Sequence, residues 1–209
     1  MQVTIVLVSD IFGRTPAFEA LANSLADITG SQTVLFDPYQ GEKLNFTDEQ
    51  AAYQYFSQHI GVETYADMLV KFLTSLNQDE LAKPLTVLGF SVGASAAWLL
   101  ACHSNNTGLL FDYNLPEIGR FIGIYGGQIR NYSALAPDVE TRLIFPQSES
   151  HFDVTALTEK LATKENVTAY QVPYSHGYLN QCSTNFDSKG YQEFLSGFRC
   201  LSKTDKTSF

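Results

Sequence analysis

The stretch Gly89-Phe90-Ser91-Val92-Gly93 has the pattern Gly-x-Ser-x-Gly and lies between two segments of different periodicity. Residues 85–88 form an apolar run that predicts a strand, and residues 94–103 have the small and apolar pattern of a helix. A serine on a sharp turn from strand to helix is a nucleophile elbow, in which glycines let the two elements approach closely. The flanking segments favour this interpretation over an ordinary glycine-rich turn, which the same short pattern also fits.

The rest of the chain continues this alternation of short apolar runs and longer helical patterns. The predicted strands are residues 3–8, 33–36, 85–88, 121–125, 142–145 and 167–172, and the predicted helices are residues 17–28, 48–59, 63–76, 94–103, 155–163 and 189–201. Continuous apolar strands joined by helices of crossover length are typical of an α/β fold, in which helices cover both faces of a mostly parallel sheet.

The composition is that of a folded domain, because 44% of the 209 residues are hydrophobic and only 17% are charged. No linker rich in Pro, Gly or Ser and no internal repeat divides the chain. We therefore expect residues 1–209 to form a single domain, with a frayed end at residues 202–209.

The chain is acidic, with 13 basic and 22 acidic side chains and a formal net charge of −9. Its field repels phosphate backbones and anionic lipid headgroups, so we expect no nucleic-acid or membrane partner. The apolar run at residues 3–8 is too short to span a bilayer, and no basic segment of a signal peptide precedes it. Three scattered cysteines, Cys102, Cys182 and Cys200, are interpreted as free thiols. These features together predict a cytoplasmic protein.

A serine nucleophile needs a base, and the chain contains four histidines. In a parallel sheet, ligands bind beyond the carboxyl ends of the strands, and His176 lies in a loop shortly after the last predicted strand. His59 falls on a polar helix face and His103 at a helix end. His176 is therefore the favoured base, and His151 is the alternative.

The acid that orients the histidine is expected on the loop after the preceding strand, which gives the chain order serine, acid, histidine. Glu149 comes four residues after the predicted strand at 142–145, and Asp153 comes four residues later. Asp153 also fits the N-cap of the following helix, so Glu149 is favoured and Asp153 remains the alternative. A metal cluster of His151, Asp153 and His176 is a weaker alternative, because its spacing matches no common metal motif. We expect no metal and no organic cofactor.

Three further segments extend the pattern beyond the elbow: Val8-Ser9-Asp10-Ile11-Phe12-Gly13, Phe36-Asp37-Pro38-Tyr39 and Tyr174-Ser175-His176-Gly177-Tyr178. They resemble, in turn, the strand with an acidic-Ile-Phe-Gly motif, the Pro-Asp-Leu-Tyr turn and the Gly-His-Gly-Phe segment of the dienelactone hydrolase family. The resemblance covers residues 3–201 and implies the α/β-hydrolase fold. Residues 145–153 resemble the family's acid loop, with Glu149 at the position of the acid.

The resemblance also implies roles for residues near the nucleophile. It places the backbone N–H of Ile11 in the oxyanion hole together with that of Val92, and Val92 also has this role as the residue after the nucleophile. It further implies that Asp10, Phe12 and Tyr178 contact the substrate.

The sequence departs from the family pattern at several positions. The enzyme that gives the family its name uses a cysteine nucleophile, whereas this chain has Ser91. That enzyme holds a substrate carboxylate with two arginines, but here one position is Asn180 and residues 42–70 contain no arginine. Dienelactone itself is therefore not the expected substrate. Arg14 is a candidate cation for this task, and a solvated surface role is the alternative.

These residues predict a hydrolase that cleaves small carboxylic esters or lactones through an acyl-serine intermediate. Ser91 attacks, His176 takes and returns the proton, and Glu149 orients the imidazole. A thioesterase or acyltransferase with the same triad is an alternative, and so is a non-catalytic binding protein of the same fold. The expected partner is a small molecule, and the sequence predicts no oligomeric state.

Overall fold

The computed structural model describes residues 3–77, 81–82, 84–102 and 115–201, with side chains described as far as residue 198. The strands are β1 (Thr4–Val8), β2 (Gln32–Phe36), β3 (Leu85–Phe90), β4 (Ile118–Ile124), β5 (Glu140–Phe145) and β6 (Val167–Gln171). The helices are α1 (Pro16–Thr29), α2 (Glu49–His59), α3 (Gly61–Ser75), α4 (Val92–Ala101), α5 (Val154–Ala162) and α6 (Ser188–Leu201). Each predicted strand and helix is present, with shifted ends. His103, the side chain of Cys200 and the predicted frayed end at 202–209 lie outside the described residues.

The six strands form one sheet in the order β2-β1-β3-β4-β5-β6, and all five strand pairs are parallel. The predicted parallel sheet is therefore confirmed. From β1, the chain proceeds to β2 on one side and returns to β3 on the other. This reversal opens a crevice at the carboxyl ends of β1 and β3, where parallel sheets usually bind their ligands.

Apolar layers cover both faces of the sheet, and the central strands β1 and β3 are therefore buried along their whole length. In β1, Val6 and Val8 pack with residues of α2, α3, α4 and α5 on one face. Ile5 and Leu7, which point to the other face, pack with residues of α1 and α6. In the part of the chain that the structure describes, no helix has the length and apolar character that crossing a membrane requires. The single-domain organisation and the cytoplasmic location stay predictions.

The amino ends of β4 and β5 differ from the prediction, and both extensions bring in charged residues. The apolar pattern predicted strands from residues 121 and 142, whereas β4 begins at Ile118 and β5 at Glu140. The additional residues bring Arg120 opposite Glu140, and their side chains form an ion pair at 2.8 Å. A charged pair between adjacent strands thus extends the sheet where the hydrophobic pattern stops.

Candidate active site

The nucleophile elbow forms between β3 and α4, and Ser91 caps the amino end of α4. Its backbone adopts φ 52° and ψ −116°, a strained conformation for a residue with a side chain. A Cβ atom at Gly93 would lie 2.2 Å from the carbonyl oxygen of Ser9, and one at Gly89 would lie 2.6 Å from Cα of Ala94. Only glycine fits at both positions, which is the steric requirement that the sequence pattern predicted.

Ser91, His176 and Glu149 lie in a continuous line. Ser91 Oγ is 2.9 Å from Nε2 of His176, and Nδ1 of His176 is 2.6 Å from Oε1 of Glu149. An ionised carboxylate only accepts hydrogen bonds, so His176 donates through Nδ1–H and its Nε2 is left to accept the Ser91 hydroxyl proton. The side chains of His176 and Glu149 are 27% and 15% exposed, so the line is partly shielded from water.

Contacts between loops hold this line in place. The acid loop after β5 and the histidine loop after β6 are joined by a hydrogen bond from the Gln147 N–H to the Tyr174 carbonyl, at 2.9 Å. The amide of Asn185 donates to the carbonyl of His176 at 3.0 Å. The ring of Tyr125, which follows β4, packs against the imidazole with centroids 4.9 Å apart. Neighbours on several elements therefore fix the positions of His176 and of the acid loop.

The alternative residues occupy other positions. Asp153 is the N-cap of α5 and accepts from the N–H of Ala156 at 3.0 Å, as its capping pattern predicted. His151 is exposed and lines the cavity above Ser91, whereas the imidazole in contact with the serine belongs to His176. Among the residues described here, no group of three or more His, Cys, Asp or Glu side chains could hold a metal ion.

The two predicted oxyanion-hole residues, Ile11 and Val92, both line the cavity beside Ser91. Val92 is the first residue of α4, and an N–H at this position has no acceptor within its helix. The loop that contains Ile11 is held by two tyrosines. Tyr39 donates to the Ile11 carbonyl at 2.7 Å, and Tyr65 donates to the Ser9 carbonyl at 3.2 Å.

Asp10, Phe12 and Tyr178, which the resemblance predicts to contact the substrate, do not line the cavity above Ser91, and their role stays a prediction. Tyr178 is 3% exposed and packs in the core beneath the site, and Phe12 packs against the core on the other face. The Asp10 carboxylate accepts from the Phe12 N–H at 3.0 Å and from Nδ2 of Asn180 at 2.5 Å. Burial raises the pKa of Asp10, although both hydrogen bonds and the nearby His176 act in the opposite direction.

The cavity above Ser91 has a volume of about 430 Å³, near the lower end of the range for small-molecule sites. The line of Ser91, His176 and Glu149 and the two predicted oxyanion-hole residues form its floor. Its walls come from α2, the segment after β4 and the acid loop. The wall residues are Glu49, Gln50, Tyr53, Gly127, Gln128, Arg130, His151 and Phe152.

Arg130 is the functional candidate that sequence reasoning missed. It belongs to a 3₁₀ helix, Gly127–Tyr132, where Nη1 donates to the Gly127 carbonyl at 2.6 Å and the guanidinium lies 5.0 Å from the ring centre of Phe152. The sequence contained a signal for Arg130, because this segment directly follows the predicted strand at 121–125 and ligands bind beyond the carboxyl ends of parallel strands. Arg14 instead forms an ion pair with Glu19 at 2.7 Å on the exposed surface, outside the cavity.

Comparison with known proteins finds a distant sequence relative and a group of solved structures with the same fold. No protein-family model matches the chain. The protein YczH of Bacillus subtilis (strain 168), described as uncharacterized, is 28% identical over 159 residues, which are 75% of this chain and 71% of that protein.

Solved structures resemble nearly the whole chain. A dienelactone hydrolase from Anabaena variabilis is 19% identical, with a TM-score of 0.60 over 96% of this chain and 83% of that chain. A dienelactone hydrolase-like promiscuous phosphotriesterase, P91, from metagenomic libraries is 12% identical, with a TM-score of 0.60 over 96% and 85% of the two chains. Mouse alpha/beta hydrolase domain-containing protein 10 is 11% identical, with a TM-score of 0.60 over 95% and 88%. The predicted α/β-hydrolase fold is confirmed.

Proposed function

We propose that the protein is a serine hydrolase that cleaves small carboxylic esters or lactones through an acyl-serine intermediate. The observation that carries the proposal is the line from Ser91 Oγ through both ring nitrogens of His176 to Glu149, at 2.9 and 2.6 Å, on the floor of a cavity. A serine, a histidine and a carboxylate in this order are the groups that acyl transfer requires.

In the acylation step, Ser91 Oγ attacks the carbonyl carbon while its proton passes to Nε2 of His176. Glu149 keeps the proton on Nδ1 and stabilises the imidazolium that forms. The carbonyl oxygen becomes an oxyanion, which the N–H groups of Ile11 and Val92 stabilise. His176 then gives its proton to the leaving oxygen as the bond from the carbonyl carbon to that oxygen breaks, and an acyl-serine remains.

In the deacylation step, water takes the place of the leaving group. The water oxygen attacks the acyl carbon while His176 accepts a proton from the water. The N–H groups of Ile11 and Val92 stabilise the second oxyanion. The proton returns to Ser91 Oγ when the bond from the acyl carbon to the serine breaks. The products are a carboxylic acid and the free enzyme.

Arg130, on a cavity wall that also contains Glu49, offers one place for an anionic group of the substrate. Arg130 is the one permanently cationic side chain among the residues that line the cavity. Within the described part of the chain, no carboxylate lies at ion-pair distance from Arg130. A substrate carboxylate beside Arg130 would make the charge-assisted hydrogen bonds that arginine forms well.

A fluorophosphonate probe and a panel of p-nitrophenyl esters of increasing acyl length, with a dienelactone and an acyl thioester, test the proposal. We expect labelling at Ser91 and turnover of the short esters. In Ser91→Ala, labelling should vanish and kcat should fall by about 10⁶-fold, with an unchanged melting temperature. Folded protein that neither labels nor turns over any ester would instead indicate a binding protein. Turnover of the thioester alone would indicate a thioesterase.

A further inference from the structure

Asp10 is an enclosed carboxyl that the proposed reaction does not use. It is the second residue of the loop that follows β1, and the next residue, Ile11, supplies a proposed oxyanion donor. Its Oδ1 accepts from the Phe12 N–H at 3.0 Å, while its backbone carbonyl accepts from the Gly13 N–H at 3.2 Å. An aspartate that accepts from the backbone two residues ahead shapes a tight turn. One carboxylate oxygen of Asp10 therefore sets the conformation of the oxyanion loop, residues 9–13.

The other carboxylate oxygen reaches a distant part of the chain. Oδ2 of Asp10 accepts from Nδ2 of Asn180 at 2.5 Å, across a sequence separation of 170 residues. The amide of Asn180 is held in one orientation, because its Oδ1 accepts from the Cys182 N–H at 2.8 Å. The nitrogen is therefore the end that faces Asp10. The Asn180 N–H also donates to the Gly177 carbonyl at 2.8 Å, which closes the turn after His176.

The two ends of this contact carry different parts of the proposed machinery. Asp10 lies beside the Ile11 N–H, and Asn180 lies in the turn that directly follows His176. We propose, on the basis of the proposed hydrolase function, that Asp10 and Asn180 are a pair of positioning residues that fixes the oxyanion loop relative to the histidine loop. The pair acts on the reaction through its neighbours, since neither side chain lines the cavity above Ser91.

The surroundings of the pair leave no room for a substrate group. Asp10 and Asn180 line a separate small cavity of about 20 Å³, whose wall includes Thr15 and Tyr125. A space of this size holds at most about one water molecule. Asp10 keeps some exposed surface as a residue, but protein groups enclose its carboxyl, and the lost hydration raises its pKa. An enclosed carboxylate depends on the donors that remain, so removal of the Asn180 amide should disturb the whole loop.

Loss of the pair should disturb the oxyanion donor and the histidine more than it disturbs substrate binding. A displaced oxyanion donor weakens binding of the charged intermediate and leaves ground-state binding of the ester nearly unchanged. A small displacement of catalytic groups costs up to about 100-fold in rate. Loss of the pair should therefore lower kcat and leave KM nearly constant.

The test compares Asn180→Ala, Asp10→Asn and the exchanged pair Asp10→Asn/Asn180→Asp in the full chain, with p-nitrophenyl acetate as substrate. We expect kcat to fall about 10- to 100-fold in each single variant, with KM within about threefold. The exchanged pair restores an amide donor opposite a carboxylate, with the polarity reversed, and should recover kcat to within about fivefold of the wild type.

A matched control removes a partly buried hydrogen bond at the amino end of β1, the strand that precedes the oxyanion loop. Thr4 Oγ1 accepts from the Ala82 N–H at 3.0 Å, and Thr4→Val should lower the melting temperature while leaving kcat within about twofold. Single variants with normal kcat would overturn the inference. So would an exchanged pair that folds but recovers no activity, or a Thr4→Val variant that loses as much kcat as Asn180→Ala.

Amide hydrogen exchange tests the coupling without any substrate. Asn180→Ala should accelerate exchange of the Phe12 N–H, and Asp10→Asn should accelerate exchange of the Cys182 N–H, each by about tenfold or more. Unchanged exchange across both loops would overturn the coupling. A wild-type protein that neither labels nor turns over esters would overturn the proposed hydrolase function instead, and hydrogen exchange would still decide whether the pair joins the loops.

Discussion

The floor and the walls of the cavity are built differently. On the floor, Ser91, Glu149 and His176 follow the carboxyl ends of β3, β5 and β6, and are joined by contacts of 2.9 and 2.6 Å. The walls come from α2 and from the loops after β4 and β5, and they include Tyr53, a residue that is 49% exposed. The strand ends fix the groups of the proposed reaction, while the helix and loops around them offer varied side chains to a substrate. We therefore expect changes on the floor to alter kcat and changes on the walls to alter the choice of substrate.

The largest effect should come from the base. His176→Asn removes the acceptor of the Ser91 proton, so kcat should fall by about 10⁶-fold. In the wild type, kcat/KM should fall on acidification, because a protonated imidazole cannot accept that proton, and the variant should lose this dependence. Rate measurements against pH on both proteins check the prediction, with His151→Asn as the control. A loss of kcat confined to His151→Asn would instead identify His151, on the cavity wall, as the base.

The next effect concerns the acid. Glu149→Gln leaves the shape of the side chain but no longer holds the imidazole in its productive tautomer, so kcat should fall about 10²- to 10⁴-fold with little change in KM. Steady-state kinetics with p-nitrophenyl acetate measure the change, and a melting curve establishes that the variant is folded. If kcat of Glu149→Gln stays within tenfold of the wild type, Glu149 is not the acid that orients His176.

The sequence predicted the floor better than the walls for a physical reason. The elbow is a local requirement, since the close contacts at Gly89 and Gly93 exclude any side chain. Asp153 was separated from Glu149 by an equally local signal, the cap of α5. The contact of Asp10 with Asn180 depends on tertiary packing across 170 residues, which periodicity and spacing do not reveal. The resemblance to a family predicts that Asp10 contacts the substrate, and only the fold reveals its contact with a second loop.

On the wall, Arg130→Gln should change substrate preference and leave the chemistry intact. For a monoester of p-nitrophenol with succinate, loss of a charge-assisted hydrogen bond should lower kcat/KM by about 10- to 100-fold, mainly through KM. For p-nitrophenyl butyrate, which has no carboxylate, the change should stay within about threefold. Arg14→Gln is the matched control, because Arg14 pairs with Glu19 on the exposed surface. Equal losses for both esters would mean that Arg130 has a structural role.

The smallest effect on activity should come from Asp153, which lies four residues after the acid but belongs to a helix end. Asp153→Ala removes the acceptor of the Ala156 N–H and should cost about 0.5–2 kcal/mol of stability. For a chain of this length, this loss lowers the melting temperature by a few degrees. Turnover should be nearly normal, since the carboxylate that contacts His176 belongs to Glu149. Asp153→Asn separates the two roles, because asparagine caps a helix as well as aspartate does but carries no charge. Normal stability and normal kcat in Asp153→Asn would support the cap, whereas a large loss of kcat with normal stability would make Asp153 the acid.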